Sequence, residues 1–438
     1  MSGSTKPDVS TTADRLTTER WTAGVIGLGY VGLPLAVAAA GRGLDVIGFD
    51  VNEERVAALA DGTSHVDDVT DDELATALHA GFTPTSNEAS LSHCDALFIC
   101  VPSPLGVNRQ PDLSFIEAAA ATVTRVARQG TVVSLESTSY PGTTDDLLIP
   151  AVEAAGLKVD QDVFVAFSPE RVNPGGGVAA SQIPKVVGGV SPTSGTVAAA
   201  AYGRIFDEIH VVSSARAAEM TKLLENTYRA VNIALVNEMA QLAYQLDIDL
   251  WEVIDAAATK PFGFQAFYPG PGVGGHCIPL DPQFLAWRAR QAKFATRFID
   301  TAEQINTAMP AYVAERIADL LNTRGLPVFG TPILGVGIAY KPNVADDRES
   351  ASIEVLKLLQ RRGAEVAVID PVVGDDRITH WGFRPITLDG ATNHAIAIVL
   401  TDHDELDLGR LADIVPLVFD TRGAYRKRGI DRPNVIAL

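Results

Sequence analysis

Short apolar runs alternate with longer amphipathic stretches along this chain, and the alternation comes in two cycles. Residues 23–29 form an apolar run that breaks into glycine, an alanine-rich segment covers 33–40, and 45–50 is the next apolar run. Runs of this length bounded by turn residues predict buried parallel strands, and the segments between them predict crossover helices. Further strands are expected over 95–102, 131–136 and 163–167, with helices over 52–59, 71–79 and 115–127. From 215 to about 246 the pattern changes. Met220, Leu223, Leu224, Tyr228, Val231, Leu235 and Met239 recur at helical spacing, which predicts one long helix. Another helix is expected over 296–322. A second α/β cycle starts at 332–339 and continues with a helix over 353–362 and strands over 365–370, 395–400 and 415–420.

The first break carries Gly27-x-Gly29-x-x-Gly32, between a strand and a helix, with Asp50 closing the second strand. That is the logic of a dinucleotide-binding βαβ unit. Gly27 permits the tight turn, Gly29 lets backbone approach a pyrophosphate, and Gly32 lets helix and strand pack closely. The pyrophosphate would sit on the helix N-terminus. Asp50 would accept hydrogen bonds from ribose hydroxyls and repel a 2′-phosphate, which favours NAD over NADP. Arg55 has two readings: stacking on adenine or binding a phosphate, and a solvated surface arginine. Ser103 and the hydroxyl-rich 137–144 follow strands at their carboxyl ends, where open α/β sheets bind ligands. Thr138 is a candidate for holding the cofactor or a catalytic water. Glu170-Arg171 leaves another strand at the same edge, as a surface salt bridge or as a general base with an anion contact. The fold expected is α/β, with two doubly wound Rossmann-like domains joined by a long central helix.

Tyr268-Pro-Gly-Pro-Gly-Val-Gly-Gly-His-Cys-Ile-Pro-Leu-Asp-Pro282 cannot form a regular element at its glycine-rich start. It predicts a bent loop that delivers one thiol, Cys277, with Asp281 four residues later; a helix N-terminus would favour the thiolate. A structural loop with an inert cysteine is the alternative. His276 is next to Cys277 and points the opposite way on an extended chain, which disfavours a Cys–His pair. Lys222, Glu225, Asn226 and Arg229 share one face of the long helix, as a solvated stripe or as groups reaching into a cleft. The second cycle lacks a full glycine fingerprint, and its Lys341 and Arg348 are candidates for phosphates. The net charge of −19 argues against a nucleic-acid or anionic-membrane partner. Three cysteines make neither a disulfide framework nor a metal cluster and fit a reducing cytoplasm. Residues 1–20 are polar, without a signal-peptide core, and no apolar run is long enough to span a bilayer.

Several motifs in order resemble the UDP-sugar 6-dehydrogenase family. They are Gly27-Leu-Gly-Tyr-Val-Gly-Leu-Pro34, the 137–144 hydroxyl cluster, Ser168-Pro-Glu-Arg171, Lys222-x-x-x-Asn226 with Asn237-Glu238, Gly274-Gly-His-Cys-Ile-Pro279 with Asp281, and Lys341-Pro through Asp347-Arg-Glu-Ser350. The resemblance implies a four-electron oxidation of a C6 alcohol to a carboxylate with two NAD+ reduced. Cys277 would hold the intermediate aldehyde as a thiohemiacetal and then a thioester. Lys222 would stabilise oxyanions at C6, Asn226 would hold that oxygen, Asp281 and Thr138 would order a water, and Glu170 would assist hydrolysis. The implied cofactor contacts are Gly27, Gly29, Tyr30, Val31, Gly32, Asp50, Arg55, Ser103, Thr138 and Arg348. The implied substrate contacts are Glu170, Arg171, Lys222, Asn226, Phe267, Tyr268, Gly270, Gly274 and Lys341, with no metal.

The resemblance also implies a homodimer through the central helix. The domains expected are a disordered tail (1–20), an NAD-binding Rossmann domain (21–212), a central dimerisation region with the cysteine loop (213–325) and a UDP-sugar-binding α/β domain (326–438). Two departures from the glucose-oxidising members stand out. Leu280 replaces a lysine before Asp281, and Lys260-Pro261 stands where those members have an arginine. The loop is similar to that of the UDP-N-acetylhexosamine branch, nearest to the UDP-N-acetylglucosamine 6-dehydrogenases, with Phe262, Phe264 and Phe267 as apolar contacts or core. UDP-glucose, UDP-N-acetylmannosamine and UDP-N-acetylgalactosamine are the alternatives within the family. A hydroxy-acid dehydrogenase or a non-catalytic NAD sensor would have no need of Cys277.

Overall fold

The structure, a computed structural model, describes residues 9–66, 68–106, 109–172, 180–275 and 277–438; His276 lies outside them. The chain divides into two compact units, Met1–Glu225 with Gln283–Phe294, and Asn226–Pro282 with Ala295–Leu438.

The first unit is built on strands β1 (Thr22–Ile26), β2 (Asp45–Phe49), β3 (Phe82–Thr85), β4 (Ala96–Ile99), β5 (Val132–Leu135), β6 (Phe164–Phe167), β7 (Lys185–Gly189) and β8 (Ile209–Val212). They form one sheet in the order β3-β2-β1-β4-β5-β6-β7-β8. Only β6 and β7 pair antiparallel. The order reverses between β1 and β4, the switch point at which doubly wound sheets bind ligands. Every residue of β4, β5 and β6 is buried, because alternate side chains feed two cores. Val25, Phe98, Val132 and Phe164 enter one; Ile26, Leu97, Val133 and Val165 enter the other.

The second unit carries β9 (Pro332–Val336), β10 (Glu365–Ile369), β11 (Arg384–Pro385), β12 (Ile396–Val399), β13 (Val418–Asp420) and β14 (Val435–Ala437). These strands order β11-β10-β9-β12-β13-β14 and all pair parallel. The expected long helix is a single element of 31 residues, Ala215–Gln245, whose residues contribute to both units. The expected strands and helices are present within a few residues. Strands β3, β7, β8, β11 and β14 were not expected, because they are short or carry polar residues.

One expectation is corrected. The tail expected to be disordered over 1–20 contains helix Val9–Thr18. Its Leu16 is fully buried in the first core, its backbone carbonyl accepts from the Trp21 indole at 2.9 Å, and Arg15 pairs with Asp95 at 3.1 Å. The polar composition hid a helix whose Ala13 and Leu16 pack on the first core. Among the described residues no helix is long and apolar enough to cross a membrane.

Candidate active site

At the first βα turn, Gly27 adopts φ +93°, and a Cβ there would lie 2.7 Å from the Cys100 carbonyl oxygen. A Cβ on Gly32, the first residue of helix Gly32–Gly41, would sit 1.8 Å from the Gly27 oxygen. Gly29 differs from both. A Cβ built on it meets nothing within 4 Å and its φ is not positive. Neither packing nor backbone geometry within the chain requires glycine there, so the opening fits a dinucleotide phosphate approaching the backbone. Asp50 holds the turn in place: it accepts from Leu28 N and Asn52 N, both at 2.9 Å. Arg55 is not merely a solvated surface arginine: its guanidinium pairs with Asp50 at 2.9 Å. Three bonds leave the Asp50 carboxylate a lone pair for a ribose hydroxyl. Tyr30 is exposed and Val31 half-buried beside the turn, and Ser103 is buried at the end of β4.

The hydroxyl loop after β5 is fastened to the long helix by a residue that sequence reasoning missed. Glu219 accepts from Gly142 N at 2.5 Å, from Thr144 N at 2.9 Å and from Thr144 Oγ1 at 2.7 Å. Burial raises its carboxyl to about 7, against the pull of those donors. One turn further along, the buried Lys222 ammonium donates to Thr138 Oγ1 at 2.7 Å. Beside Thr138, the buried Ser139 hydroxyl has no hydrogen-bond partner among the described residues. Glu219 precedes Lys222 by three residues, which is the only sequence signal it offered.

Of the two readings of Glu170-Arg171, a salt bridge between them is not formed among the described residues. Arg171 pairs with Glu225 at 2.7 Å, so the helix face is not a solvated stripe. Glu170 Oε1 accepts from the backbone N–H of Arg171 and of Val172, each at 2.7 Å, and Oε2 accepts from Lys185 at 3.2 Å.

In the second unit, Asn226 donates through Nδ2 to the fully buried Asp281, and Arg229 donates to the Asn226 oxygen. Asn237 Oδ1 accepts from Gly270 N at 3.0 Å, while its Nδ2 donates to Asn306 at 2.9 Å. The glycine loop is therefore pinned to the long helix by Asn237, which Asn306 holds in turn. Gly274 and Gly275 are needed for close packing, and Gly270 leaves room for a guanidinium. A Cβ on Gly270 would meet Arg422 at 2.8 Å, one on Gly274 would meet the Glu349 oxygen at 2.8 Å, and one on Gly275 would meet the Tyr340 ring at 2.7 Å. Tyr268 stacks on Trp251 at 5.4 Å and Phe267 meets Tyr228 edge-on at 5.8 Å. Phe262 and Phe264 are exposed, so neither belongs to a core of this chain.

Cys277 opens helix Cys277–Gln291 and is exposed, whereas Cys94 and Cys100 are buried. Burial pushes the Cys94 thiol to about 12 and the Cys100 thiol well above its usual range. Lys341 is half-buried after β9. Arg348 is partly exposed and is gripped by Asp346 through bonds of 2.9 and 2.6 Å. Asp370 repeats the part of Asp50, accepting from Ile338 N at 2.6 Å at the second sheet's first turn.

Sequence comparison matches three family models in order: the UDP-glucose/GDP-mannose dehydrogenase family NAD-binding domain at residues 22–207, its central domain at 216–308 and its UDP-binding domain at 334–427. A UDP-N-acetyl-D-glucosamine 6-dehydrogenase of Pseudomonas aeruginosa is 36% identical over 366 residues, 83% of this chain and 86% of the relative. An NDP-N-acetyl-D-galactosaminuronic acid dehydrogenase of Ralstonia nicotianae is 35% identical over 93% of this chain and 97% of its own length. The solved UDP-D-ManNAc dehydrogenase of Pyrococcus horikoshii superposes with a TM-score of 0.85 at 31% identity, covering 95% of this chain and 98% of the other. With its NAD-binding, central and UDP-binding domains all matched, the chain belongs to the UDP-glucose/GDP-mannose dehydrogenase family and is an NAD-dependent UDP-sugar dehydrogenase.

Proposed function

We propose that the protein oxidises the C6 alcohol of a UDP-N-acetylhexosamine, foremost UDP-N-acetylglucosamine, to the uronate in two successive oxidations. The observation that carries this reading is Cys277: the exposed cysteine of three, at the first residue of a 15-residue helix. The positive end of a helix favours a negative sulfur. Bound NAD+ supplies the hydride acceptor for both oxidations, held by the Gly27–Gly32 turn, Asp50 and the neighbouring Tyr30, Val31, Ser103 and Thr138. The sulfur of Cys277 adds to the C6 aldehyde and retains it as a thiohemiacetal; the second oxidation leaves a thioester, which water cleaves.

Lys222 stabilises the negative charge that develops on the C6 oxygen, the kind of contribution that a preorganised cation makes in a dry site. Its ammonium is already oriented by Thr138 (2.7 Å). Asn226 and Asp281 act as a hydrogen-bonded pair toward oxygen and water, and Glu170 is the base for hydrolysis. Arg171, Phe267, Tyr268, the glycine loop and Lys341 contact substrate, and Arg348 contacts cofactor while it shares its guanidinium with Asp346.

The sugar is argued from Leu280 and from the missing arginine near Lys260. Leu280 is apolar and buried, so this position carries no cation, unlike the lysine of the glucose-oxidising members. UDP-N-acetylmannosamine is the second reading, favoured by the TM-score of 0.85 to the Pyrococcus horikoshii enzyme. A homodimer through the long helix is supported by an exposed apolar stripe of Met220, Leu224, Tyr228, Leu235 and Leu242. A cytoplasmic setting agrees with three cysteines outside any disulfide.

The test is NADH formation with UDP-N-acetylglucosamine, UDP-N-acetylmannosamine, UDP-N-acetylgalactosamine and UDP-glucose in parallel. The reading predicts the highest kcat/KM for UDP-N-acetylglucosamine. A preference for UDP-glucose would overturn the use made of Leu280.

A further inference from the structure

Behind Glu170 lies a group of ionisable side chains that none of the steps above employs. Lys185, on β7, and Glu136, just past β5, expose 4% and 0% of their side chains. The Lys185 ammonium lies 2.7 Å from Glu136 Oε2 and 3.2 Å from Glu170 Oε2. Tyr202 donates to Glu136 Oε1 at 2.8 Å and lies 2.8 Å from Ser134 Oγ. Two carboxylates thus share one ammonium, in a site walled by the Tyr202 and Phe206 rings at 5.6 and 4.8 Å from the nitrogen. Of the three charged groups only Glu170 reaches the surface, with 16% of its side chain exposed.

Burying such ions costs several kcal/mol each, of the order that their attraction returns, so stability is weak ground for the arrangement. Its geometry instead acts on Glu170. Both oxygens of that carboxylate are held, Oε1 by two backbone N–H groups and Oε2 by Lys185.

We infer that Lys185, backed by Glu136 and Tyr202, is a positioning residue that keeps Glu170 an aimed, ionised base for hydrolysis of the acyl group on Cys277. This rests on the reading of Glu170 given above. In that step the water oxygen bonds to the thioester carbonyl carbon while one water proton passes to Glu170. The C–S bond then breaks, and the sulfur departs with the bonding pair. The sugar keeps the carboxylate, and the protons are released to sulfur or solvent. No electrons are gained or lost.

A base in this place must stay ionised although it is largely out of water. Burial pushes the Glu170 carboxyl up, and the Lys185 charge and the two backbone donors outweigh that push and hold it below its ordinary range. The other titratable groups turned toward it are Glu136 and the Cys100 thiol, with Tyr202 behind Glu136. Burial raises the Cys100 thiol well above its usual range, so it stays neutral. Arg171 is occupied by Glu225 at 2.7 Å. Lys185 is the cation that makes contact with Glu170 among the described residues.

Lys185→Met alone would strand Glu136 as a buried unpaired charge and risk the fold. The double variant Lys185→Met with Glu136→Gln removes both charges together, and Lys185→Gln with Glu136→Gln replaces it if the first does not fold. Each is mixed with NAD+ and whichever of the four UDP-sugars the native protein oxidises, with Glu170→Gln run alongside. The double variant should release a burst of two NADH per site and then turn over at least about tenfold more slowly. Intact mass should show the sugar adduct on Cys277. The acid limb of kcat should move to higher pH than in the native protein. If the double variant hydrolyses at the native rate with the native pH profile, Lys185 only neutralises Glu136 and the inference falls, while adduct in Glu170→Gln would keep Glu170 as the base. If Glu170→Gln itself turns over like the native protein, the assignment of Glu170 fails and this inference with it.

Discussion

Two thiols of this chain are sealed in the cores on either face of the first sheet and one stands at a helix start, and that contrast decides which cysteine can do chemistry. Cys277→Ser should lower kcat by at least about a hundredfold in an NADH assay and leave NAD binding, read by fluorescence titration, unchanged. Native-like turnover by this variant would remove the covalent step. Glu219 shows a second effect of burial. Its carboxyl titrates at about 7 instead of about 4.5. The native state therefore binds more protons than the unfolded chain between those values. The stability this group contributes is complete below about pH 4.5 and is lost as pH rises through about 7. Glu219→Gln cannot titrate, so its thermal midpoint relative to native should climb between pH 5 and pH 8. A constant difference across that range would refute the assignment. Glu219 was not legible in the sequence: an acid three residues before a lysine on a helix looks like a surface pair, and only the fold brings 142–144 onto it.

At the scale of elements, the first βα turn separates two roles of glycine. Gly32→Ala forces a Cβ to 1.8 Å from the Gly27 oxygen, so it should lower stability and NAD affinity together. Gly29→Ala meets nothing in the chain. It should melt like the native protein yet raise the KM for NAD about tenfold or more, measured by steady-state kinetics beside a melting curve. Equal damage by both would mean that the opening at Gly29 serves the fold alone. The long helix offers another test. Leu235 is 52% exposed on the apolar stripe, so Leu235→Asp should shift a dimer to monomer in sedimentation without loss of helical signal. Strands and helices with strong periodicity were readable in advance, because buried parallel strands leave uninterrupted apolar runs. The unexpected strand β7 carries Lys185 in a wholly buried run, a residue that reads as solvent-exposed until Glu136 and Glu170 are seen on either side. The Val9–Thr18 helix failed for the mirror reason, since one buried leucine among Ser, Thr and Asp gives no periodic signal.

For the whole molecule, each unit repeats one device: an acid at the end of the second strand, Asp50 or Asp370, fastens the turn after the first strand. The glycine fingerprint accompanies only the first, in agreement with an NAD-binding domain there and a UDP-binding domain in the second. The most direct test of the central claim is to count NADH against sugar consumed with the native protein and its preferred UDP-sugar. Two NADH for each sugar, with uronate as the sole sugar product, is the predicted result. One NADH per sugar with free aldehyde in solution would contradict it, because Cys277 would then hold nothing between the two oxidations.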